Sequence, residues 1–190
     1  LTSLFQSVTA RTAGFNTVDI SSFSDAGLFL LLFLMFIGAS PGSCGGGVKT
    51  TTLAVLVTSS ISKVRGRSRV SIGKKSLPED TVTRSLILVV LALAFIGIIF
   101  FLLLSTNSSV DSAVIRNKGR FLPFLFETFS AFGTVGLSMG ITSLLNTAGK
   151  LLLTVLMLIG RVGVLSFSYI FIKISAKPGI EYSEENIMVG

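Results

Sequence analysis

The run SLILVVLALAFIGIIFFLLL at positions 85–104 carries no charged side chain over 20 residues. As an α-helix it spans about 30 Å, the thickness of a bilayer's hydrocarbon core. Inside a bilayer every backbone N–H and C=O must be paired within the protein, so this segment admits a membrane-crossing helix and little else. The rest of the chain agrees. Half of the 190 residues are apolar and 13% are charged, below the roughly one quarter usual for a soluble domain, and the mean hydropathy is +0.83.

The formal charge of +7 would suit a nucleic-acid ligand, but the basic residues gather in SKVRGRSRVSIGKK (62–75), beside apolar segments and without interleaved aromatics. A positive-inside loop is the better reading, and no nucleic-acid partner is expected. Lys63, Arg65, Arg67, Arg69, Lys74 and Lys75 place this loop in the cytoplasm. Residues 110–120 then lie outside, although Arg116, Lys118 and Arg120 soften the contrast. A final helix, 148–172, runs inward to Lys173 and Lys177, and the tail EYSEENIMVG is cytoplasmic. Cys44 is the single cysteine and histidine is absent. That excludes an intrachain disulfide and histidine-based triads or zinc sites, and enzymatic chemistry is not expected. The chain opens on Leu1 in mid-pattern without a signal peptide, which reads as a fragment lacking its N-terminal part.

Sliding the sequence along itself exposes a repeat. LFQSVTARTAGFNTVDISSFSDAGLFLLLFLMFIG (4–38) matches LFETFSAFGTVGLSMGITSLLNTAGKLLLTVLMLIG (125–160) with one single-residue gap. Thr12, Gly14, Gly27, Met35 and Gly38 fall on Thr134, Gly136, Gly149, Met157 and Gly160. Each copy holds a short amphipathic segment (1–11 and 121–132), a Thr-x-Gly turn, a polar stretch and a long apolar helix. The short segments cannot cross a bilayer and fit re-entrant pore helices. Non-helical backbone at membrane depth is tolerated only where protein or a watery cavity surrounds it, so the turns are pore-lining candidates. Gln6 and Glu127 occupy equivalent positions, and Arg11 precedes the first turn. Polar groups at such depth need partners, so these three are expected to brace the turns from behind.

From Asp25 to Ser62 there are 38 residues, about 57 Å as one helix and too long for a membrane. The stretch IGASPGSCGGGVKTTT (37–52) must therefore break the helix. It is not a phosphate-binding loop, because Val48 separates Gly47 from Lys49 where G-x-x-x-x-G-K-[ST] is required. Since Gly38 aligns with Gly160, Arg161 should lie at the depth where the break begins. An arginine there must be satisfied inside the protein, and its donors match carbonyls exposed by a broken helix. Arg161 is thus expected to hold residues 38–50 across the pore as a gate, with Gly42, Ser43, Gly45, Gly46 and Gly47 supplying freedom. Lys49 either restrains the loop or reaches the cytoplasmic interface.

With TARTAGFNT (9–17), SAFGTVGLS (130–138), the glycine-rich interruption and MLIGR (157–161) appearing in order, the chain resembles the Ktr/Trk/HKT superfamily of potassium-translocating membrane subunits. The short loops and the ending IMVG resemble KtrB more than the longer TrkH subunits. The resemblance implies an all-α polytopic membrane protein with helix/pore-loop/helix repeats of potassium-channel type. It covers an incomplete third repeat (1–62), a cytoplasmic basic loop (63–83), a complete fourth repeat (84–176) and a cytoplasmic tail (177–190). It implies selectivity-filter walls at Thr12, Ala13, Gly14, Phe15 and Asn16 and at Thr134, Val135, Gly136, Leu137 and Ser138. Potassium would bind the carbonyls of the first three residues of each turn. TVGLS keeps three residues of the potassium-channel pattern TVGYG, and neither turn keeps its second glycine, so fewer well-formed ion sites are expected. The resemblance further implies potassium uptake gated by the intramembrane loop and by Arg161, a plasma-membrane homodimer surrounded by lipid, and a cytosolic nucleotide-binding RCK ring. A sodium-permeable or sodium-coupled transporter and a non-transporting membrane scaffold are the alternatives.

Overall fold

A computed structural model describes residues 2–43, 45–66, 71–72, 75–108 and 110–163. Cys44, Arg67, Arg69, Lys74, Lys173, Lys177 and the tail named above lie outside them. Among the described residues the regular elements are helices apart from a hairpin of two two-residue strands, β1 (Ser71–Ile72) and β2 (Lys75–Ser76), in the basic loop.

Helix α1 (Thr2–Thr9) leads through a turn and a short 3-10 segment (Ile20–Ser22) into α2 (Asp25–Phe36). Ser24 caps α2 by accepting from Gly27 N. After Phe36 the helix breaks as its length demands, and α3 (Thr50–Val64) resumes it. Helix α4 (Glu79–Thr106) follows, longer at both ends than the uncharged run because Pro78 starts it and Glu79 and Asp80 complement the dipole of its first turn. It is the one helix among the described residues long and apolar enough to cross a membrane alone.

The second copy begins after α5 (Ala113–Lys118), with α6 (Phe121–Gly133), a 3-10 segment (Thr142–Leu144) and α7 (Thr147–Val162). Asn146 caps α7 through Gly149 N, repeating the role of Ser24 at the aligned position. The last helix was expected to run over 148–172. Helix α7 is described to Val162, where Gly163 follows at φ +97°, outside the right-handed helical region, and positions 164–172 of that expectation lie outside the described residues.

Helix α6 lies between two apolar clusters. Phe124 and Phe132 join residues of α4 and α7 on one side, and Phe126 meets Leu28, Leu31, Leu32 and Met35 of α2 on the other. Apolar packing gains little from lipid exclusion in a membrane, so close van der Waals fit has to do it. Glycines provide that fit. A Cβ added at Gly133 would lie 2.6 Å from the Met35 carbonyl oxygen, and one at Gly160 would lie 1.9 Å from that of Phe132. On the side of the molecule where α5 meets α2, Lys118 Nζ donates to the Phe23 carbonyl (2.7 Å) and to Asp25 Oδ1 (2.8 Å), tying the two copies together.

Candidate functional site

Helices α1 and α6 end alike. Thr12 and Thr134 take positive φ, 66° and 52°, a conformation that is uncommon and strained for a β-branched residue. Each is followed by a residue of negative φ and then by a glycine of positive φ, Gly14 at 72° and Gly136 at 88°. Alternating handedness over three residues cancels the side-to-side alternation of an extended chain and lets successive carbonyls face one way, as a backbone cation site requires. The C-terminal ends of both helices bring partial negative charge to the same place. The turns also touch: a Cβ added at Gly14 would lie 2.6 Å from the Val135 carbonyl oxygen and 3.6 Å from Gly136 Cα. Only glycine fits there.

Behind each turn stands a matching set of hydrogen bonds. Thr9 Oγ1 donates to the Phe15 carbonyl (2.6 Å), and its aligned counterpart Ser130 Oγ donates to the Leu137 carbonyl (2.6 Å). Gln6 Nε2 donates to Asn16 Oδ1 (3.3 Å), which also accepts from Val18 N. Glu127 Oε1 accepts from Ser138 Oγ (2.6 Å) and Met139 N (3.0 Å), and its other oxygen accepts from Thr142 Oγ1. The carbonyls of Phe15 and Leu137 and the side chains of Asn16 and Ser138 are therefore committed to their own helices. Of the ten residues expected to line an ion path, Thr12, Ala13, Gly14, Thr134, Val135 and Gly136 keep carbonyls outside this set. The hydroxyl pair Thr9 and Ser130 was legible in the repeat alignment but overlooked, whereas nothing in the sequence marks Thr142. Arg11 is exposed, and among the described residues its side chain makes no hydrogen bond; its backbone N donates to the Val8 carbonyl (3.0 Å).

The glycine loop lies directly against the turns. It is closed at its neck by Gly38 N donating to the Val48 carbonyl (2.8 Å) and Val48 N to the Phe36 carbonyl (3.1 Å), which makes it a compact loop with its ends together. Gly46 N donates to Thr134 Oγ1 (2.9 Å). A Cβ at Gly45 would lie 3.1 Å from Thr12 Oγ1, and one at Gly46 would lie 2.8 Å from Thr134 Oγ1. Gly47 takes φ +80° against Gly38 at the neck, while Gly42, at φ +83°, and Ser43 form the exposed tip. Lys49 Nζ donates to the carbonyls of Gly45 (2.6 Å) and Ser43 (3.2 Å).

Arg161 was expected on this loop. Among the described residues it makes no hydrogen bond to it and is exposed, lining instead a cavity of about 400 Å³ with Ser130, Thr134, Gly136, Thr154 and Met157. The reason is in the carbonyls: those of Phe36, Ser40, Ser43, Gly45 and Val48 already accept from Val48 N, Ser43, Lys49 and Gly38 N. Two of these carbonyls, those of Ser43 and Gly45, are met by Lys49.

The whole of this geometry falls within residues 1–181, which match the family model TrkH, described as a cation transport protein. The chain is similar to the Ktr system potassium uptake proteins D and B of Bacillus subtilis, at 38% and 39% identity over 188 residues, 99% of this chain and 40% of each relative. It is also 39% identical over 189 residues to the potassium/sodium uptake protein NtpJ of Enterococcus hirae, covering 98% of this chain and 40% of that protein. The chain thus spans about two fifths of the length of these relatives. With a match of this extent, and with both Thr-x-Gly turns and the glycine loop inside it, the chain belongs to the TrkH family of membrane cation transport proteins.

Proposed function

We propose that the chain supplies two walls of a potassium-conducting pore and the loop that gates it, as part of the ion-translocating subunit of a Trk/Ktr-type uptake system. The observation that carries this reading is the contact of the two turns at Gly14 and Val135, with Gly46 hydrogen-bonded to Thr134 immediately beside it. Potassium would shed water for the carbonyls of Thr12–Gly14 and Thr134–Gly136 and move down its electrochemical gradient without covalent chemistry. Residues 38–50 would close the path below, restrained by Lys49, and Arg161 would place a fixed positive charge in the adjoining cavity. A basic cytoplasmic loop, two copies per assembly in a lipid bilayer and a cytosolic RCK-type nucleotide-binding ring complete the proposal. The resemblance to KtrB-like subunits supports them.

The test is growth at low potassium. The full-length chain should restore growth of cells deficient in potassium uptake, and a failure to do so with protein present in the membrane would favour a scaffold. Arg161→Ala should raise potassium flux, and a flux that is unchanged would remove Arg161 from the gate. A sodium-permeable pore is the second reading, supported by the likeness to a potassium/sodium uptake protein. Sodium uptake equal to potassium uptake would favour it.

A further inference from the structure

The two turns are hung from their pore helices by one scheme but with unequal strength. In the C-terminal copy, Glu127, 5% exposed, accepts from Ser138 Oγ, Met139 N and Thr142 Oγ1. Gly140 N adds a bond to Ser138 Oγ (2.9 Å), so residues 138–142 hang as one unit from a carboxylate. In the N-terminal copy the position is Gln6, 2% exposed. Its Nε2 reaches Asn16 Oδ1 and Thr17 Oγ1 at 3.3 and 3.4 Å, and its Oε1 has no donor among the described residues. The residue aligned with Thr142 is Ile20, which has no hydroxyl to offer. The inner ends differ in the same sense. Thr134 accepts from the glycine loop, whereas no hydrogen bond joins Thr12 to it among the described residues.

We propose that this asymmetry sets ion preference: Glu127 is a specificity-determining residue that makes the C-terminal turn the stiff wall of the pore, while the turn hung from Gln6 is the compliant wall. The inference rests on the pore reading above. Its physics is that a smaller cation gains full coordination only if carbonyls move inward. A turn pinned at both ends resists that movement, and hydrogen bonds to a charged acceptor are roughly twice as strong as neutral ones. The penalty therefore falls on sodium more than on potassium. A cavity of about 390 Å³ beside the bracket, bounded by Glu127, Ser138, Thr142, Leu153 and Met157, gives the turn room to shift once the bracket weakens.

The experiment measures potassium and sodium uptake by the full-length protein in the same cells and compares their ratio, so that differences in protein amount cancel. Glu127→Gln, which takes the charge from the acceptor of three hydrogen bonds, should lower the potassium-to-sodium ratio about tenfold or more. Thr142→Val, which keeps the carboxylate and removes one donor, should lower it less. The reciprocal graft, Gln6→Glu with Ile20→Thr, should raise the ratio above that of the native protein. Ratios within about twofold of native in the first two variants would overturn the proposal. If Glu127→Gln gives no uptake, Thr142→Val decides by the same measure. A native protein that moves no potassium would instead sink the pore reading itself.

Discussion

Lys49 shows how much one side chain can carry in a segment that has almost none. Its ammonium holds two carbonyls of a loop built largely of glycine and serine, and one of them, that of Gly45, belongs to the residue lying against Thr12. Hydrogen bonds to charged groups contribute about 1.5–3 kcal/mol each where water is scarce. Lys49→Met should therefore loosen the loop and raise potassium uptake about tenfold or more, with Lys49→Arg close to native. Uptake that falls, with protein still in the membrane, would show that the bonds hold a conducting loop open. A second residue-scale test concerns packing. Gly160→Ala places a methyl where Phe132 O stands, whereas Gly97 in α4 has nothing within 4 Å of an added Cβ. Gly160→Ala should cost about 1–3 kcal/mol by overpacking, while Gly97→Ala should gain up to about 1 kcal/mol from helix propensity. Thermal unfolding of the detergent-solubilised protein reads both. At this scale the alignment made Gln6 and Glu127 equivalent, but it could not choose Lys49 over Arg161, because that depends on which carbonyls the folded loop leaves unpaired.

Among the elements, the breaks are as informative as the helices. The interruption between α2 and α3 follows from length against bilayer thickness, and its neck satisfies the freed carbonyls by pairing the loop with its own helix end. The starts of α2 and α7 use aligned caps, Ser24 and Asn146, but Asn146 does more. Its Nδ2 donates to the Thr106 carbonyl (2.8 Å), and its backbone N to the buried Asn107 Oδ1 (2.9 Å). Ser24→Ala should cost about 1 kcal/mol as a lost cap. Asn146→Ala should cost about 1 kcal/mol more, for the added bond to α4. Equal losses in melting temperature would show that the tie to α4 is immaterial. Helix α5 and the β hairpin had no strong signal in the sequence, since six-residue and two-residue elements show no period to read.

At the scale of the whole molecule, the two copies meet along α6, through Phe126 and Gly133 against α2, through the bond from Gly46 to Thr134 and through the strap from Lys118. The strap's partners are unequal. Asp25 is largely exposed, so its ion pair with Lys118 contributes at most about 1 kcal/mol, while the Phe23 carbonyl is left without its donor if the lysine is removed. Lys118→Met should therefore lower the melting temperature more than Asp25→Asn, and a double variant no less stable than Lys118→Met alone would agree. The reverse order would place the strap's strength in the charge pair. Some of this molecule was readable from sequence because it depends on local counting. An uncharged run demands a spanning helix, an overlong apolar stretch demands a break, and coincident glycines and threonines mark equivalent turns. What tertiary structure alone decided is where side chains point once helices are packed. The carbonyls of Phe15 and Leu137 turn to Thr9 and Ser130, Lys49 satisfies the loop, Arg161 faces a cavity, and Thr142 reaches Glu127 across 15 residues of chain. Those choices belong to the competition among polar groups for a few donors in a medium without water, and that competition has no one-dimensional trace.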